Sequence, residues 1–306
     1  MSARTATVAA GGGLRGRRLR DLMTNPWARP RFLWVVGIAY VVWTLLPVAT
    51  AALFSFNSTR SISIWSGFSL RWYVTDPNES VLHDPDLRHA VVQSLKLATG
   101  AVLVAVPIGL AFALALDKWR GRGSGSSNFT MMFSFITPEL ILAVSLFLLF
   151  LNPFKFIGLG TPSQLLGLGL LAIPYAVIIV RSRLLSLGVQ LEEAAMDLGA
   201  SPLQALRRVT LPLLGPAIFA SAAIIFAFTL DDFVMVKQLA KTGADQTVAM
   251  AIYGAARTAP SPAVNAIGTL MLVASTLVIA LAYLVYRRSV RRQGAGFRAD
   301  RDALPV

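Results

Sequence analysis

Cysteine is absent from this chain of 306 residues, and histidine occurs only twice. Without cysteine there can be no disulfide framework, no thiolate metal site and no cysteine nucleophile. The two histidines, His83 and His89, lie in one polar segment without other residues at metal-ligand spacing. We therefore expect both histidines in an exposed loop and no metal site.

Charged residues are also scarce, at 14% of the chain, whereas 55% of the residues are hydrophobic. This balance excludes an ordinary soluble domain and is typical of a membrane protein. Apolar runs of about twenty residues, the length needed to cross a bilayer, support the same class.

Catalytic motifs are lacking as well. No glycine-rich phosphate loop of the form G-x-x-x-x-G-K-[ST] occurs, so the chain is not expected to hydrolyse nucleotide itself. There is no Ser/His/Asp set, no metal cluster and no carboxylate pair beside an activating base. The sequence therefore predicts no enzyme activity and no cofactor, and any energy input has to come from a partner.

Six apolar runs predict six membrane-spanning helices, and Pro174 predicts a kink in the fourth. A basic tail, residues 1–31, precedes the first run; a signal peptide is the alternative, but the run is too long and no cleavage site follows convincingly. The runs cover residues 32–54, 91–116, 129–151, 164–180, 213–230 and 264–286.

The basic residues gather on one side of these spans. Segments 1–31, 117–128 and 287–306 hold sixteen Lys and Arg against four acids, whereas segments 55–90, 152–163 and 231–262 hold seven of each. The positive-inside rule then predicts that both termini are cytoplasmic and that residues 56–90 form a periplasmic loop. The net charge of +13 is thus explained by topology, and a nucleic-acid partner is not supported.

Two short helices with a break between them are predicted in the loop between the fourth and fifth runs. Gly199 can adopt the left-handed conformation that ends the first helix. Ser201 is the N-cap of the second, Pro202 its first residue, and Gln204 completes a capping box. Pro212 is predicted to end the second helix.

The same loop resembles the EAA loop of binding-protein-dependent ABC importer permeases. The motif residues Glu193-Ala194-Ala195, Gly199, Val209 and Leu211-Pro212 stand at the family's spacing. The resemblance implies an all-α polytopic membrane protein with a MetI-like permease core of five helices over residues 91–286. It also implies a peripheral first helix over residues 32–55, an EAA coupling loop over residues 191–212 (the EAA loop below) and a cytoplasmic tail over residues 287–306.

In that family the EAA loop inserts into a cleft of the ATP-binding subunit. By resemblance, the contact residues are Glu193, Ala194, Ala195, Gly199, Pro202 and Leu203. The implied partners are a dimer of ABC ATPase subunits, a second homologous permease, a periplasmic solute-binding protein and the lipid bilayer of a bacterial inner membrane.

Further segments resemble the polyamine-type permeases and imply a spermidine or putrescine importer. These are Gly67-Phe68-Ser69-Leu70 followed by Trp72-Tyr73, Leu230-Asp231-Asp232-Phe233, and Ser261-Pro262 followed by Asn265-Ala266. The aromatic residues of the first segment could instead anchor the chain at the membrane surface.

Three acids in or beside the spans are candidate residues of a solute path, because ionisable groups at membrane depth are costly. They are Glu139, Asp231 and Asp232. Glu139 could alternatively satisfy backbone groups freed by Pro138 or pair with an arginine, and the two aspartates could lie at the water interface.

Three other functions remain open on the sequence alone. The same architecture could carry another solute, such as 2-aminoethylphosphonate, ferric iron or sulfate. An ion-coupled secondary transporter would be expected to show internal repeats, and none is evident. A membrane enzyme is weaker still, because no catalytic constellation is present.

Overall fold

A computed structural model describes residues 31–118, 125–126, 129, 133, 135–258 and 261–302. The predicted basic tail lies outside the described residues except for Arg31, as do most of the predicted loop 117–128 and residues 303–306. The described residues form helices and turns, and the only β pairing among them is an isolated bridge between Asn57 and Phe68. The all-α prediction is confirmed.

Within the described ranges, five helical segments are long and apolar enough to cross a membrane: α1, α2, α4, α6 together with α7, and α10 as far as Arg288. Helix α3 is a shorter apolar helix of 13 residues. The helices are α1 Arg31–Phe54, α2 Pro85–Lys118, α3 Glu139–Leu151, α4 Thr161–Leu187, α5 Gln190–Asp197, α6 Pro202–Ala205, α7 Leu211–Asp231, α8 Val234–Leu239, α9 Val248–Thr258 and α10 Pro262–Asp302.

The third predicted span, residues 129–151, is wrong as a continuous helix. Residues 137 and 138 are not helical, and α3 begins only at Glu139, after Pro138 in an extended conformation with ψ of 130°. The residue before a proline is disfavoured in the α region, which accounts for a break at this point. Glu139 therefore lies in the first turn of a short helix and not in the middle of a span.

Helix α2 begins at Pro85, six residues before the predicted start. The Asp84 carboxylate accepts hydrogen bonds from the backbone N–H groups of Asp86 and Leu87, at 2.9 and 3.2 Å. A capping aspartate followed by proline is a regular helix start. The sequence predicts a loop over this turn because several of its residues are polar.

The second helix of the EAA loop does not end at Pro212, which corrects the prediction. Between α6 and α7, residues Leu206–Thr210 form a wider π turn, in which the Leu211 N–H donates to the Leu206 carbonyl. Proline cannot donate the normal helical bond and crowds the preceding turn. The wider turn lets the helix continue past Pro212, so α6 and α7 form one helical segment from Pro202 to Asp231.

The chain divides into two compact units, Met1–Leu53 and Phe54–Val306. In the first unit, the apolar side chains of α1 are exposed, including Trp34 and Trp43 at 67% and 78%. A mostly apolar helix with such a surface is suited to contact lipid.

In the second unit, α2 packs along α4, and α7 packs against α2, α4 and α10. We call the end where α2 and α4 finish and α7 begins the loop end of this bundle, and the other end the opposite end. At Gly109 the helices approach so closely that an added Cβ would lie 2.4 Å from the Cβ of Ala176. Small residues at such crossings allow membrane helices to pack tightly.

A buried polar cluster closes the opposite end of the bundle. Asp245, 7% exposed, accepts hydrogen bonds from the backbone N–H groups of Thr161, Lys241 and Thr242 at 2.9, 3.1 and 2.9 Å. Gln164 donates to the Asp245 carbonyl at 3.1 Å and accepts from Gln93 at 3.2 Å. These bonds join α2, the start of α4 and the segment after α8.

The predicted periplasmic loop has a packed interior of its own. Trp72 is fully buried, and its indole N–H donates to the Asn57 carbonyl at 2.6 Å. It packs in one cluster with Val81 and with residues of α9 and α10, among them Val248 and Ile267. The segment is thus folded onto the helical bundle.

At the other terminus, α10 continues as a helix to Asp302 and so includes most of the predicted tail 287–306.

Candidate coupling loop and solute path

The first helix of the EAA loop, α5, lies between two glycines with left-handed backbones. Gly188 ends α4 with φ of +69°, and Gly199 follows α5 with φ of +90°. Glu192 and Glu193 occupy the first turn of α5, where the positive end of the helix dipole stabilises acidic side chains. The predicted helix end at Gly199 is confirmed.

The capping box that opens α6 is also present as predicted. The Ser201 hydroxyl accepts from the Gln204 N–H at 3.4 Å, and the Gln204 side chain accepts from the Ser201 N–H at 2.9 Å. Pro202 occupies the first helical position. The break between α5 and α6 therefore has a defined geometry set by local hydrogen bonds.

The residues predicted to contact an ATPase form an accessible surface. Glu193, Ala194, Gly199, Pro202 and Leu203 are exposed, and Ala195 is half-buried. Helix α5 has no buried residue at all.

Leu198 belongs to the same surface, although the sequence analysis did not select it. It is 91% exposed, and Leu203 is 63% exposed. Apolar side chains exposed to this degree on one short loop are typical of an interaction surface. An apolar residue placed directly before the helix-ending Gly199 was the sequence feature that could have indicated it.

The three candidate path acids do not share one environment. Asp231 is exposed, whereas Asp232 is buried at 7% exposure. Asp232 Oδ1 accepts from the N–H groups of Met235 and Val236 at 3.0 and 3.4 Å, and so caps α8. The two adjacent aspartates thus differ: Asp231 has an exposed carboxylate and Asp232 a buried one.

Glu139 lies close enough to Asp232 for their carboxyl charges to interact. Among the described residues, neither of the alternatives from the sequence, an arginine partner or freed backbone groups, is seen for Glu139. Asp232 Oδ2 has no hydrogen-bond partner among the described residues. The structure thus brings two carboxyl groups together where α7 ends and α3 begins.

One polar contact at the loop end was missed by the sequence analysis. Glu192 Oε2 accepts from Lys118 Nζ at 2.6 Å and from the Thr210 hydroxyl at 3.2 Å. Lys118 is 74 residues away in the chain, so no local motif could have indicated the contact.

Comparison with known proteins identifies the architecture. Residues 105–293 match the family of binding-protein-dependent transport system inner membrane components. The chain belongs to this family. It is therefore a multi-span transport subunit of an ABC importer in the inner membrane and not an enzyme, because in such importers the ATPase is a separate subunit.

Two curated relatives carry substrate names. The chain is 32% identical over 267 residues to the putrescine transport system permease protein PotI of Escherichia coli, covering 85% of this chain and 93% of that protein. It is also 32% identical over 267 residues to the spermidine/putrescine transport system permease protein PotC of Haemophilus influenzae, covering 87% and 99%.

Solved structures share the fold. A chain of a bacterial ABC transporter for import of the acidic polysaccharide alginate superposes with a TM-score of 0.65, covering 89% of this chain and 99% of that chain at 18% identity. A chain of the MetNI methionine ABC transporter in an inward-facing conformation gives 0.55, covering 66% and 95% at 18% identity. These matches support the MetI-like core.

Proposed function

We propose that this permease subunit imports polyamines of the putrescine and spermidine class. The observation that carries the proposal is the match to permeases named for these solutes over 85% of the chain or more. The site chemistry agrees with a cationic solute, because Glu139 and Asp232 bring two carboxyl groups together and Asp231 adds an exposed carboxylate next to Asp232 in sequence.

Energy enters through the EAA loop in this proposal. A dimer of ABC ATPase subunits docks on Glu193, Ala194, Ala195, Gly199, Pro202 and Leu203. The loop lies on the cytoplasmic side, as do both termini, and a second homologous permease completes the translocation path. A periplasmic binding protein delivers the solute from the other side.

Transport then follows by alternating access. ATP binding closes the ATPase dimer, and the docked EAA loops move with it. Because α6 continues into α7 without a break, displacement of the loop is transmitted along a helical segment that enters the core. The movement is driven only if docking differs in free energy between the inward-open and outward-open states.

Uptake of radiolabelled putrescine tests the solute. The assay uses cells without polyamine uptake of their own that express this chain with its partner subunits. Asp232→Asn keeps the oxygen that caps α8 and removes the charge, so we expect uptake to fall about tenfold, the effect of about 1.4 kcal/mol. Unlabelled spermidine should compete, whereas 2-aminoethylphosphonate and sulfate should not.

The docking surface is tested in the same cells. Glu193→Lys reverses the charge of the first motif residue without touching a buried side chain, so the protein should reach the membrane and uptake should be lost. Undiminished uptake in Glu193→Lys would contradict the docking role. Undiminished uptake in Asp232→Asn, or competition by sulfate, would contradict the polyamine path.

A further inference from the structure

Glu192 differs from its neighbours on α5 in pointing back toward the bundle. Its side chain is 14% exposed, and one oxygen, Oε2, holds both Lys118 Nζ at 2.6 Å and the Thr210 hydroxyl at 3.2 Å. Lys118 is the last residue of α2, and Thr210 is the residue directly before α7. One carboxylate therefore connects three elements.

Packing cannot replace this connection. Helix α5 has no buried residue, and a cavity of about 170 Å³ lies between the EAA loop and the bundle. The cavity is lined by Leu184, Leu187, Val189, Val209 and Leu213, with Lys118 and Glu192 also in its wall. The apolar contacts that would fix α5 in a solid interface are thus incomplete.

The chain connects α5 to its neighbours through a glycine at each end. Gly188 joins it to α4, Gly199 joins it to α6, and both glycines have positive φ. Local hydrogen bonds set the geometry of the α5–α6 break at rest, but glycine has few steric limits on its backbone angles, so rotation at either residue can absorb a force applied to α5. The contacts of Glu192 bypass both glycines and reach α2 and α7 directly.

We propose that Glu192 is a positioning residue that makes α5 move together with the loop ends of α2 and α7. Lys118 and Thr210 are its partners in this role. The proposal rests on the docking function of the EAA loop and adds a residue outside the motif. Without Glu192, the ATPase would still dock and hydrolyse ATP, but the part of the stroke that α5 receives would be lost at Gly188 and Gly199, and only the part that α6 transmits to α7 would remain.

The first test measures putrescine imported per ATP hydrolysed by the complete transporter in proteoliposomes. Glu192→Gln should leave the ATPase bound and lower this ratio about tenfold, within the usual range of coupling between sites. Lys118→Glu should do the same, and Lys118→Glu combined with Glu192→Lys should restore most of the ratio. Lys118→Arg, which keeps charge and donors, is the matched control and should behave as wild type.

A second test needs neither cargo nor partner and separates this proposal from the proposed function. Because the chain has no cysteine, a nitroxide can be attached at Met196→Cys, on the exposed side of α5, in the otherwise unchanged full-length protein. Glu192→Gln should make this label more mobile, and the double charge reversal should return it to the wild-type spectrum.

The outcomes are distinct. A wild-type ratio in Glu192→Gln, an unchanged nitroxide spectrum, or failure of the double charge reversal to restore either signal would overturn the positioning role. A wild-type transporter that imports no putrescine would overturn the proposed solute, while the nitroxide measurement would still decide the role of Glu192.

Discussion

Replacing Gly109 with alanine adds one methyl group where α2 crosses α4. The new Cβ would lie 2.4 Å from the Ala176 Cβ, 3.2 Å from the Ile173 carbonyl oxygen and 3.3 Å from the Val177 nitrogen. Carbon atoms in contact are normally about 3.5–4.0 Å apart. All three neighbours are backbone atoms or a β-carbon, so none can turn away, and the helices must separate by about 1 Å.

Overpacking of this kind typically costs about 1–3 kcal/mol. We expect a value near the upper end, about 2–3 kcal/mol, because α2 and α4 form the largest helix contact of the bundle. At roughly 2–4 °C per kcal/mol, the apparent melting temperature in detergent should fall by roughly 5–10 °C.

Two glycines provide matched controls for this substitution. At Gly100 the added Cβ would meet the Leu165 Cδ1 at 2.4 Å, but that atom ends a flexible side chain and can rotate away. At Gly215, in α7, the added Cβ would meet no atom of the described residues within 4 Å beyond its chain neighbours and its own helix backbone. Thermal unfolding followed by size-exclusion chromatography should place Gly109→Ala lowest, Gly100→Ala intermediate and Gly215→Ala highest. Gly215→Ala should lie slightly above wild type, because alanine is favoured over glycine in a helix interior by about 0.5–1 kcal/mol. A Gly109 variant as stable as the Gly215 variant would refute the close crossing.

Two further predictions concern the opposite end of the bundle. Burial raises the pKa of the Asp245 carboxyl, but the hydrogen bonds that the carboxylate accepts from Thr242, Lys241 and Thr161 outweigh burial and hold the pKa below the ordinary 3.8. The ionised carboxylate therefore contributes its full stabilisation above about pH 3.8, and this stabilisation is lost as the pH falls through the lower pKa of the folded protein. Asp245→Asn should cost about 2–4 kcal/mol near pH 7 and reduce this acid dependence in thermal unfolding scans; equal scans for both proteins would contradict it. Trp72→Ala should cost about 3–5 kcal/mol and expose residues 56–84 to added protease, and a resistant segment would contradict the packing described.

The spans could be predicted because their signal is local. Long apolar runs and the distribution of arginines can be recognised without knowing any tertiary contact. The same holds for the capping box at Ser201 and the left-handed turn at Gly199. The errors arose where two local rules competed. Pro212 predicts a helix end because proline has no N–H to donate, but the π turn before it accommodates the missing donor and the helix continues.

Contacts between distant residues could not be predicted in the same way. The residues around Glu192 do not indicate its contact with Lys118, and those around Asp245 do not indicate its contact with Thr161. In each pair the two residues are more than 70 positions apart and meet only through helix packing. Asp231 and Asp232 are adjacent in sequence, yet only the end of α7 and the start of α8 decide which is buried. The motif therefore locates the proposed docking surface, while the residues proposed to connect it to the bundle become visible only in three dimensions.

Cysteine labelling of the EAA loop tests the central claim most directly. Leu203→Cys gives one thiol on an exposed position of a chain that otherwise has none. A membrane-impermeant maleimide should label it in inverted membrane vesicles and not in intact cells, and bound ATPase subunits should protect it. Labelling in intact cells, or full labelling of the assembled transporter, would contradict a cytoplasmic loop that receives the ATPase stroke.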